Sequence, residues 1–373
     1  MRNFAILAMK NRTMPSADGF AGTVILDDVP VSCSIIETPE PEFRKDQPEN
    51  KFCVLVRIRA FSLNYRDKNR IFTMAMKGTE NGFYVVGSEF VAEVIDVGLA
   101  VTGLVPGDRV IGNNSYPSSG WDGVAPGVPT NHASKEVQLF HQVKLIKIPA
   151  SMPDEIAASF SIGAQTTYSM IRRLEMFDGA NVLVTSGKSN TSLFAINALK
   201  NHNVNVYVTS TSRRFACELE QRGVKQIFVV LPDCRNFVEH SEIAEMVKQS
   251  GGFHFVIDPY FDLHLSRVLD AMAIGGKYVT CGLYDQYLTL IEKPASPTYS
   301  TGRELLTVML KNLQITGNCI GLTSDLQKAI EDFEAGALDV VVDSVFSGSQ
   351  ISEFLDRTYN SKDRFGKVVY KYV

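Results

Sequence analysis

Between residues 181 and 317 short apolar runs alternate with amphipathic stretches, and no other feature narrows the fold so far. The runs are NVLVTS (Asn181 to Ser186), VNVYVTST (Val204 to Thr211), IFVV (Ile227 to Val230), FHFVID (Phe253 to Asp258), KYVTCG (Lys277 to Gly282) and LQITG (Leu313 to Gly317). Helical stretches through Lys200, over Arg213 to Arg222, Ser241 to Gln249, Leu263 to Met272 and Arg303 to Leu310 lie between them. Two parallel strands cannot be joined by a tight turn; they need a crossover of a dozen or more residues, usually a helix. The spacing therefore predicts βαβ units and a parallel, doubly wound sheet.

The flanks read differently. In the first 150 residues, runs rich in Val, Ile and Phe (Phe52 to Phe61, Tyr84 to Val97, Arg109 to Gly112, Val137 to Ile148) alternate with Gly, Pro and Asn turns, which predicts a compact β-rich domain. The last 50 residues hold two helices (Asp325 to Ala335, Ile351 to Tyr359), a strand near Val340 to Phe346 and the terminal strand KVVYKYV, assigned back to that β-rich domain. The expected division is 1–155 completed by 320–373, around an inserted 156–319.

Charge and cysteine content limit the function classes. A net charge of −4 over 373 residues offers no basic field for nucleic acid or anionic lipid, so the expected partners are small molecules or a second copy. Six cysteines stand far apart with no CxxC pair, which argues against a disulfide framework or zinc ribbon. The apolar patch Phe4 to Met9 is too short for a leader, and no apolar run approaches the roughly 20 residues of a membrane span. The expectation is a reduced, cytoplasmic protein.

Three segments carry a resemblance: FSLNYRD (Phe61 to Asp67), VVGSEFVAEVIDVG (Val85 to Gly98) and GLVPGDRVIG (Gly103 to Gly112). They are followed in order by IGAQTTY (Ile162 to Tyr168), VLVTS, IGGKYVTCG, NLQITG and RFGKVV (Arg364 to Val369). The succession resembles the medium-chain dehydrogenases and reductases. That family pairs a Rossmann-type doubly wound sheet domain with a β-rich GroES-like catalytic domain. Its zinc-dependent members need Cys, His and a further Cys or Glu where this chain has Asn64, Ser88 and Ile162. An amide, a hydroxyl and an alkyl chain replace no thiolate or imidazole, so the resemblance points to the zinc-free quinone, acryloyl and enoyl reductases, with no metal.

After the first Rossmann strand the family has a glycine-rich turn, because backbone N–H groups must approach a pyrophosphate there. This chain reads Ser186-Gly187-Lys188-Ser189-Asn190-Thr191-Ser192, with serine at the three glycine positions 186, 189 and 192. A serine hydroxyl suits either a phosphate or a helix cap at Ser189 or Asn190; the alternative is a turn that has lost its nucleotide. The next strand ends in Thr209-Ser210-Thr211-Ser212-Arg213-Arg214, with no carboxylate for the ribose hydroxyls of NAD. Hydroxyl and guanidinium groups suit a 2′-phosphate, so NADPH is the expected cofactor. The resemblance implies cofactor contacts at Asn64, Thr166, Ser186, Lys188, Ser189, Asn190, Thr191, Ser210, Ser212, Arg213, Arg214, Gly282, Leu283 and Lys367.

Without a metal, hydride transfer needs a positioned nicotinamide, a donor that stabilises charge on the acceptor, and a proton source. Asn64 and Tyr65 are the catalytic candidates; Asp67 is read as holding the turn rather than as an acid. Enoyl reductases of the mitochondrial type carry a tyrosine where counting along this chain gives Ala75. The long segment between Asn113 and His132 holds the only tryptophan, and a loop of that length is usually functional or disordered. Tyr116, Trp121 and His132 are its substrate-contact candidates. Three functions stand: reduction of an activated C=C in an enone, enoyl thioester or dehydroamino acid of a modified peptide; carbonyl or quinone reduction; and a non-catalytic relative with a degenerate nucleotide loop. The family also implies a homodimer paired through the strand Leu313 to Gly317.

Overall fold

The computed structural model describes residues 1–8, 21–77, 82–286 and 301–372. The chain opens with β1 (Arg2–Leu7), β2 (Ala21–Leu26), β3 (Val29–Glu37) and β4 (Cys53–Ser62), then α1 (Tyr65–Lys77), β5 (Phe83–Val85), β6 (Glu89–Val97), β7 (Arg109–Gly112), β8 (Val137–His141) and β9 (Leu145–Lys147). Helices α2 (Asp154–Ala157) and α3 (Ser161–Leu174) follow. Next come β10 (Asn181–Val184), α4 (Asn190–Leu199), β11 (Asn205–Ser210), α5 (Ala216–Glu220), β12 (Val224–Val229), α6 (Ser241–Ser250), β13 (Phe253–Asp258), α7 (Phe261–Val268), β14 (Met272–Thr280), α8 (Thr301–Leu310) and β15 (Gln314–Gly317). The chain ends with α9 (Thr323–Glu334), β16 (Val342–Ser347), α10 (Ile351–Tyr359) and β17 (Lys367–Lys371).

Two compact units result: Met1–Ile162 with Leu322–Leu326 and Val341–Val373, and Gly163–Gly321 with Gln327–Val340. The sequence reading gave all of 320–373 to the β-rich part. Residues 327–340 instead join the second unit, where the Tyr168 hydroxyl donates to Asp332 at 2.7 Å and Arg222 pairs with Asp339 at 3.1 Å.

The first unit contains a four-stranded sheet in the order β2-β3-β1-β5 and a larger sheet in the order β16-β17-β4-β6-β7-β9, with β8 also paired to β4. The β1 to β3 strands and α1 were not anticipated from sequence. Strands β2 and β3 meet in a two-residue turn at Asp27 and Asp28, both with positive φ, which suits the twist of a hairpin. Four buried rings, Phe4, Phe61, Phe354 and Tyr370, pack with centroids 5.4–5.8 Å apart and join β1, β4, α10 and β17 in one core. Helix α1 begins with half of a capping box: the Asn64 N–H donates to the Asp67 carboxylate at 2.7 Å, while the Asp67 N–H closes a backbone turn on the Asn64 carbonyl at 3.0 Å.

The second unit is a six-stranded sheet in the order β12-β11-β10-β13-β14-β15, every neighbouring pair parallel. The order reverses direction beside β10, which defines the switch point of a doubly wound fold. Its core includes Leu183, Tyr207, Phe228, Phe253, Val256 and Tyr278. The helix expected over Arg213 to Arg222 is shorter, because Arg213 and Arg214 lie in the turn before α5. Strand β14 starts five residues earlier than expected.

Candidate functional site

In the second unit, β10 ends at Val184 and the chain turns sharply into α4. Ser186 takes φ +51°, a left-handed conformation that glycine adopts more cheaply. Gly187 keeps its glycine for a steric reason: an added Cβ would lie 2.2 Å from Val208 Cγ1. The turn is stitched to the neighbouring strand, since the Gly187 N–H donates to the Thr209 carbonyl at 2.9 Å and the Ser186 N–H to Thr209 Oγ1 at 3.3 Å.

The serines have settled uses. Ser189 caps α4, its Oγ accepting from the Ser192 N–H at 3.2 Å, while its own hydroxyl donates to Ser192 Oγ at 2.8 Å. Ser192, fully buried, donates onward to the Thr185 carbonyl at 2.7 Å. Where a third glycine would let helix and strand approach, a buried hydroxyl is accommodated by a hydrogen bond. The first N–H groups of α4, at Asn190 and Thr191, have no intrahelical acceptor, and with the helix dipole they form an anion-binding end.

The other expected cofactor residues of this unit gather along the same carboxyl edge of the sheet. The Ser210 hydroxyl donates to the Ser212 carbonyl at 2.8 Å, shaping the turn that presents Arg213 and Arg214. Both arginines are exposed; Arg213 makes a loose pair with Glu242 at 3.6 Å, and Arg214 lies over the Phe215 ring. Lys188 Nζ reaches Thr211 Oγ1 at 3.4 Å. Gly282 and Leu283 follow β14, two strands from β10, and the Gly282 carbonyl accepts from the Phe261 N–H. Thr166 sits on α3, one residue from Thr167, whose hydroxyl reaches the Thr191 carbonyl at 3.4 Å.

Beneath this edge lies a group that sequence reasoning missed. Asp258, fully buried at the end of β13, accepts from the Thr185 hydroxyl at 2.6 Å, the Tyr278 hydroxyl at 2.5 Å, His264 Nδ1 at 2.9 Å and the Tyr260 N–H at 2.8 Å. Burial alone would raise its pKa, but the His264, Thr185 and Tyr278 contacts outweigh it and hold the carboxyl below the ordinary range. The available signal was a carboxylate closing the apolar run FHFVID.

In the first unit, Asn64 stands between β4 and α1 with every polar group engaged. Lys367 Nζ donates to Asn64 Oδ1 at 2.6 Å and pairs with Glu89 at 2.9 Å. Asn64 Nδ2 donates to Ser88 Oγ at 3.2 Å and Glu89 Oε2 at 3.3 Å, and Ser88 donates to Asp67 at 2.9 Å. The Asn64 carbonyl accepts from the Tyr359 hydroxyl at 3.1 Å, and Glu89 Oε1 from the Ile162 N–H at 2.8 Å. Glu89 is fully buried and Lys367 is 2% exposed. Burial raises the Asp67 carboxyl pKa despite the Asn64 and Ser88 hydrogen bonds. Tyr65 starts α1 with its ring edge-on to Tyr359 at 6.3 Å. Sequence reasoning missed Glu89, although it is the acidic residue of the GSE segment.

This donor set does not fit a zinc ion. Asn64 and Ser88 bring no thiolate or imidazole, Ile162 contributes a backbone N–H, and the nearby carboxylates are already held. Among the described residues no three His, Cys, Asp or Glu side chains form a group able to hold a metal ion.

The substrate candidates Tyr116, Trp121 and His132 have different surroundings. Trp121 packs on Phe52 and His141, each ring centroid at 5.1 Å, where Cys53 at the start of β4 pairs with His141. Asn64 follows the other end of that ten-residue strand, about 33 Å along at 3.3 Å per residue. Trp121 therefore packs near the start of β4, and Asn64 follows its end. His132 lies nearer Asn64 in the fold, its ring against Tyr84 and its Nδ1 3.2 Å from the Val85 carbonyl. Tyr116 is exposed.

The alcohol dehydrogenase GroES-like domain family matches residues 50–150. Acryloyl-coenzyme A reductase of Metallosphaera sedula is 25% identical, over 85% of this chain and 91% of its own. The domain match and these relatives indicate the medium-chain dehydrogenase/reductase superfamily. A zinc-type alcohol dehydrogenase-like protein of Schizosaccharomyces pombe is 24% identical over 88% of this chain and 94% of its own length. The structure of mycobacterial Rv1454c complexed with NADPH superposes with a TM-score of 0.70 at 15% identity, covering 100% of this chain and 99% of that one. No helix among the described residues is long and apolar enough to cross a membrane.

Proposed function

We propose that this chain is a zinc-free reductase that uses NADPH to deliver hydride to an activated C=C bond, in an enone, an enoyl thioester or a dehydroamino acid. One observation carries the cofactor reading. The turn after β10, tight enough to exclude a Cβ at Gly187, is bonded to the end of β11, and that strand leads directly into Arg213 and Arg214 with no carboxylate between. A pyrophosphate on the N-terminus of α4 and a 2′-phosphate near the arginines answer to those two features. Lys188, Ser212, Gly282 and Leu283 lie along the same edge, and Thr166 flanks the start of α4.

The acceptor reading follows from the first unit. Asn64, Glu89 and Lys367 satisfy one another, so this centre presents no bare electrophile to polarise an isolated carbonyl. An alkene conjugated to a carbonyl or thioester carries its own electron sink and asks less of the protein, and acryloyl-coenzyme A reductase among the relatives suits the same class. Asn64 and Tyr65 are the residues assigned to this centre. Assembly as a homodimer is part of the proposal: among the described residues β15 is an edge strand, and Leu305, Leu306, Met309 and Leu310 on α8 are each at least half exposed. A second copy pairing there covers both.

The test is oxidation of NADPH and of NADH, followed by absorbance, across enones, acyl-CoA thioesters, quinones and aldehydes. Turnover confined to conjugated alkenes with NADPH supports the proposal. Turnover only of aldehydes moves the assignment to a carbonyl reductase, and failure to bind either nucleotide moves it to a non-catalytic relative.

A further inference from the structure

The buried ammonium of Lys367 has two acceptors, Asn64 Oδ1 at 2.6 Å and Glu89 at 2.9 Å, both in its own unit. Its side chain is 3% exposed and that of Glu89 is 0% exposed, so this cation is set to face the protein. A buried carboxylate needs a counter-charge, and Lys367 supplies it. Neutralising Glu89 alone would not require the shorter contact to go to Asn64. That contact selects one of the two amide flips of Asn64: with Oδ1 taken by an ammonium, Nδ2 must point at Ser88 and Glu89, as it does at 3.2 and 3.3 Å. Strand β4 delivers Asn64, β6 carries Glu89 and β17 carries Lys367, and β4 pairs with both other strands. The three groups are thus held by the sheet itself.

The geometry points to Lys367 as the positioning residue of the hydride-transfer centre, a built-in monovalent cation that fixes the Asn64 carboxamide at a place where zinc-dependent relatives bind a metal. In this reading Lys367 acts through Asn64, since its ammonium is taken up by Asn64 Oδ1 and Glu89. The catalytic part of this inference rests on the reductase reading; the structural part does not.

The experiment compares wild type, Glu89→Gln and the charge-balanced pair Lys367→Met with Glu89→Gln, each checked for folding by circular dichroism. The first readout needs no activity: the side-chain amide proton pair of Asn64, assigned by its loss in Asn64→Asp. Wild type and Glu89→Gln are expected to show a sharp, widely separated pair. The double variant is expected to show that pair collapsed toward values of a free asparagine. The same pair unmoved in the double variant overturns the inference whatever the enzyme does. Should the double variant fail to fold, the Lys367 ammonium resonance of wild type against Asn64→Ala gives the answer in reverse, and no change there overturns it equally.

The second readout is kinetic. The double variant is expected to lose at least tenfold in kcat, with KM for NADPH within threefold of Glu89→Gln. Equal kcat in the two variants reduces Lys367 to a counter-ion and also overturns the positioning role. If wild type consumes no nicotinamide nucleotide, the reductase reading fails by itself, while the amide resonances still decide what Lys367 does.

Discussion

The turn after β10 and the centre around Asn64 both depart from what the medium-chain dehydrogenases and reductases that the chain resembles would place there, and they depart in opposite ways. At the turn the residue types change while the backbone geometry is kept: Ser186 adopts the left-handed conformation of a glycine, Gly187 stays where no Cβ fits, and Ser189 and Ser192 spend their hydroxyls on each other and on Thr185. At the Asn64 centre the β-strand frame is kept while the chemistry changes, from a site that would need metal ligands to a closed set of mutual hydrogen bonds around one ion pair. A binding surface made of backbone tolerates side-chain replacement; a ligand set does not.

The largest effect should come from opening the closed centre. Lys367→Met alone leaves Glu89 charged in a fully buried position, and breaking a buried pair from one side costs about 3–5 kcal/mol. Urea unfolding should register that loss, with most of it recovered on adding Glu89→Gln. A Lys367→Met protein as stable as wild type would mean that Glu89 is hydrated, and the contrast between a closed centre and an open turn would break.

Asp258 sharpens the comparison from the other unit, where one buried carboxylate is held by hydroxyls, a histidine and a backbone N–H. Its pKa lies below the ordinary value, so the unfolded chain binds its proton more tightly than the folded one. The stability it provides is present above the unfolded pKa near 3.8 and is lost as pH falls through the lower folded value. Asp258→Asn should cost about 2 kcal/mol at neutral pH and flatten the acid limb of a melting-temperature profile. An unchanged acid limb would count against the assignment.

Much of the second unit was legible because period and spacing fix a parallel sheet: β13 and α6 begin where the sequence placed them. Strands β1 to β3 were not, because Phe4 gains its meaning from Phe61, Phe354 and Tyr370, residues 57 to 366 positions away. Helix α1 was hidden for a local reason, since LNYRD reads equally as a strand ending in a turn until the Asp67 carboxylate is seen to accept from the Asn64 N–H. At the candidate site the individual residues could be nominated from sequence, but the closing of Lys367 onto Asn64, across 303 positions, could not. The packing of Trp121 on Phe52 was likewise not legible, because a long loop gives no periodicity from which to read its contacts.

Cofactor choice is the next effect in size. Replacing both Arg213 and Arg214 with alanine should weaken NADPH by at least tenfold, about 1.4 kcal/mol, and leave NADH nearly unchanged. The Arg213 pair with Glu242 is loose and the side chain 69% exposed, so its loss should leave folding intact. Fluorescence titration of both nucleotides reads the difference directly. Equal weakening of the two would remove the arginines from the 2′-phosphate and leave the turn as the whole of the binding site.

The smallest expected effect tests whether the serines of the turn are structural, as their hydrogen bonds say. Ser189 offers its oxygen to the Ser192 N–H and its proton to Ser192 Oγ, so neither is directed at a phosphate. Ser189→Ala removes the cap and should cost about 1 kcal/mol, whereas Ser189→Gly, which restores the family residue, should cost only about 0.3 kcal/mol because glycine is a tolerated N-cap. Nucleotide affinity should be unchanged within twofold in the glycine variant, since the backbone N–H groups at the start of α4 remain. A larger substituent such as Ser189→Leu should instead abolish binding by crowding the backbone approach. Tenfold weaker binding in Ser189→Gly would show that the hydroxyl leaves Ser192 for the phosphate when nucleotide arrives, and the turn would then be a site whose chemistry, like that of the Asn64 centre, had changed with its residues.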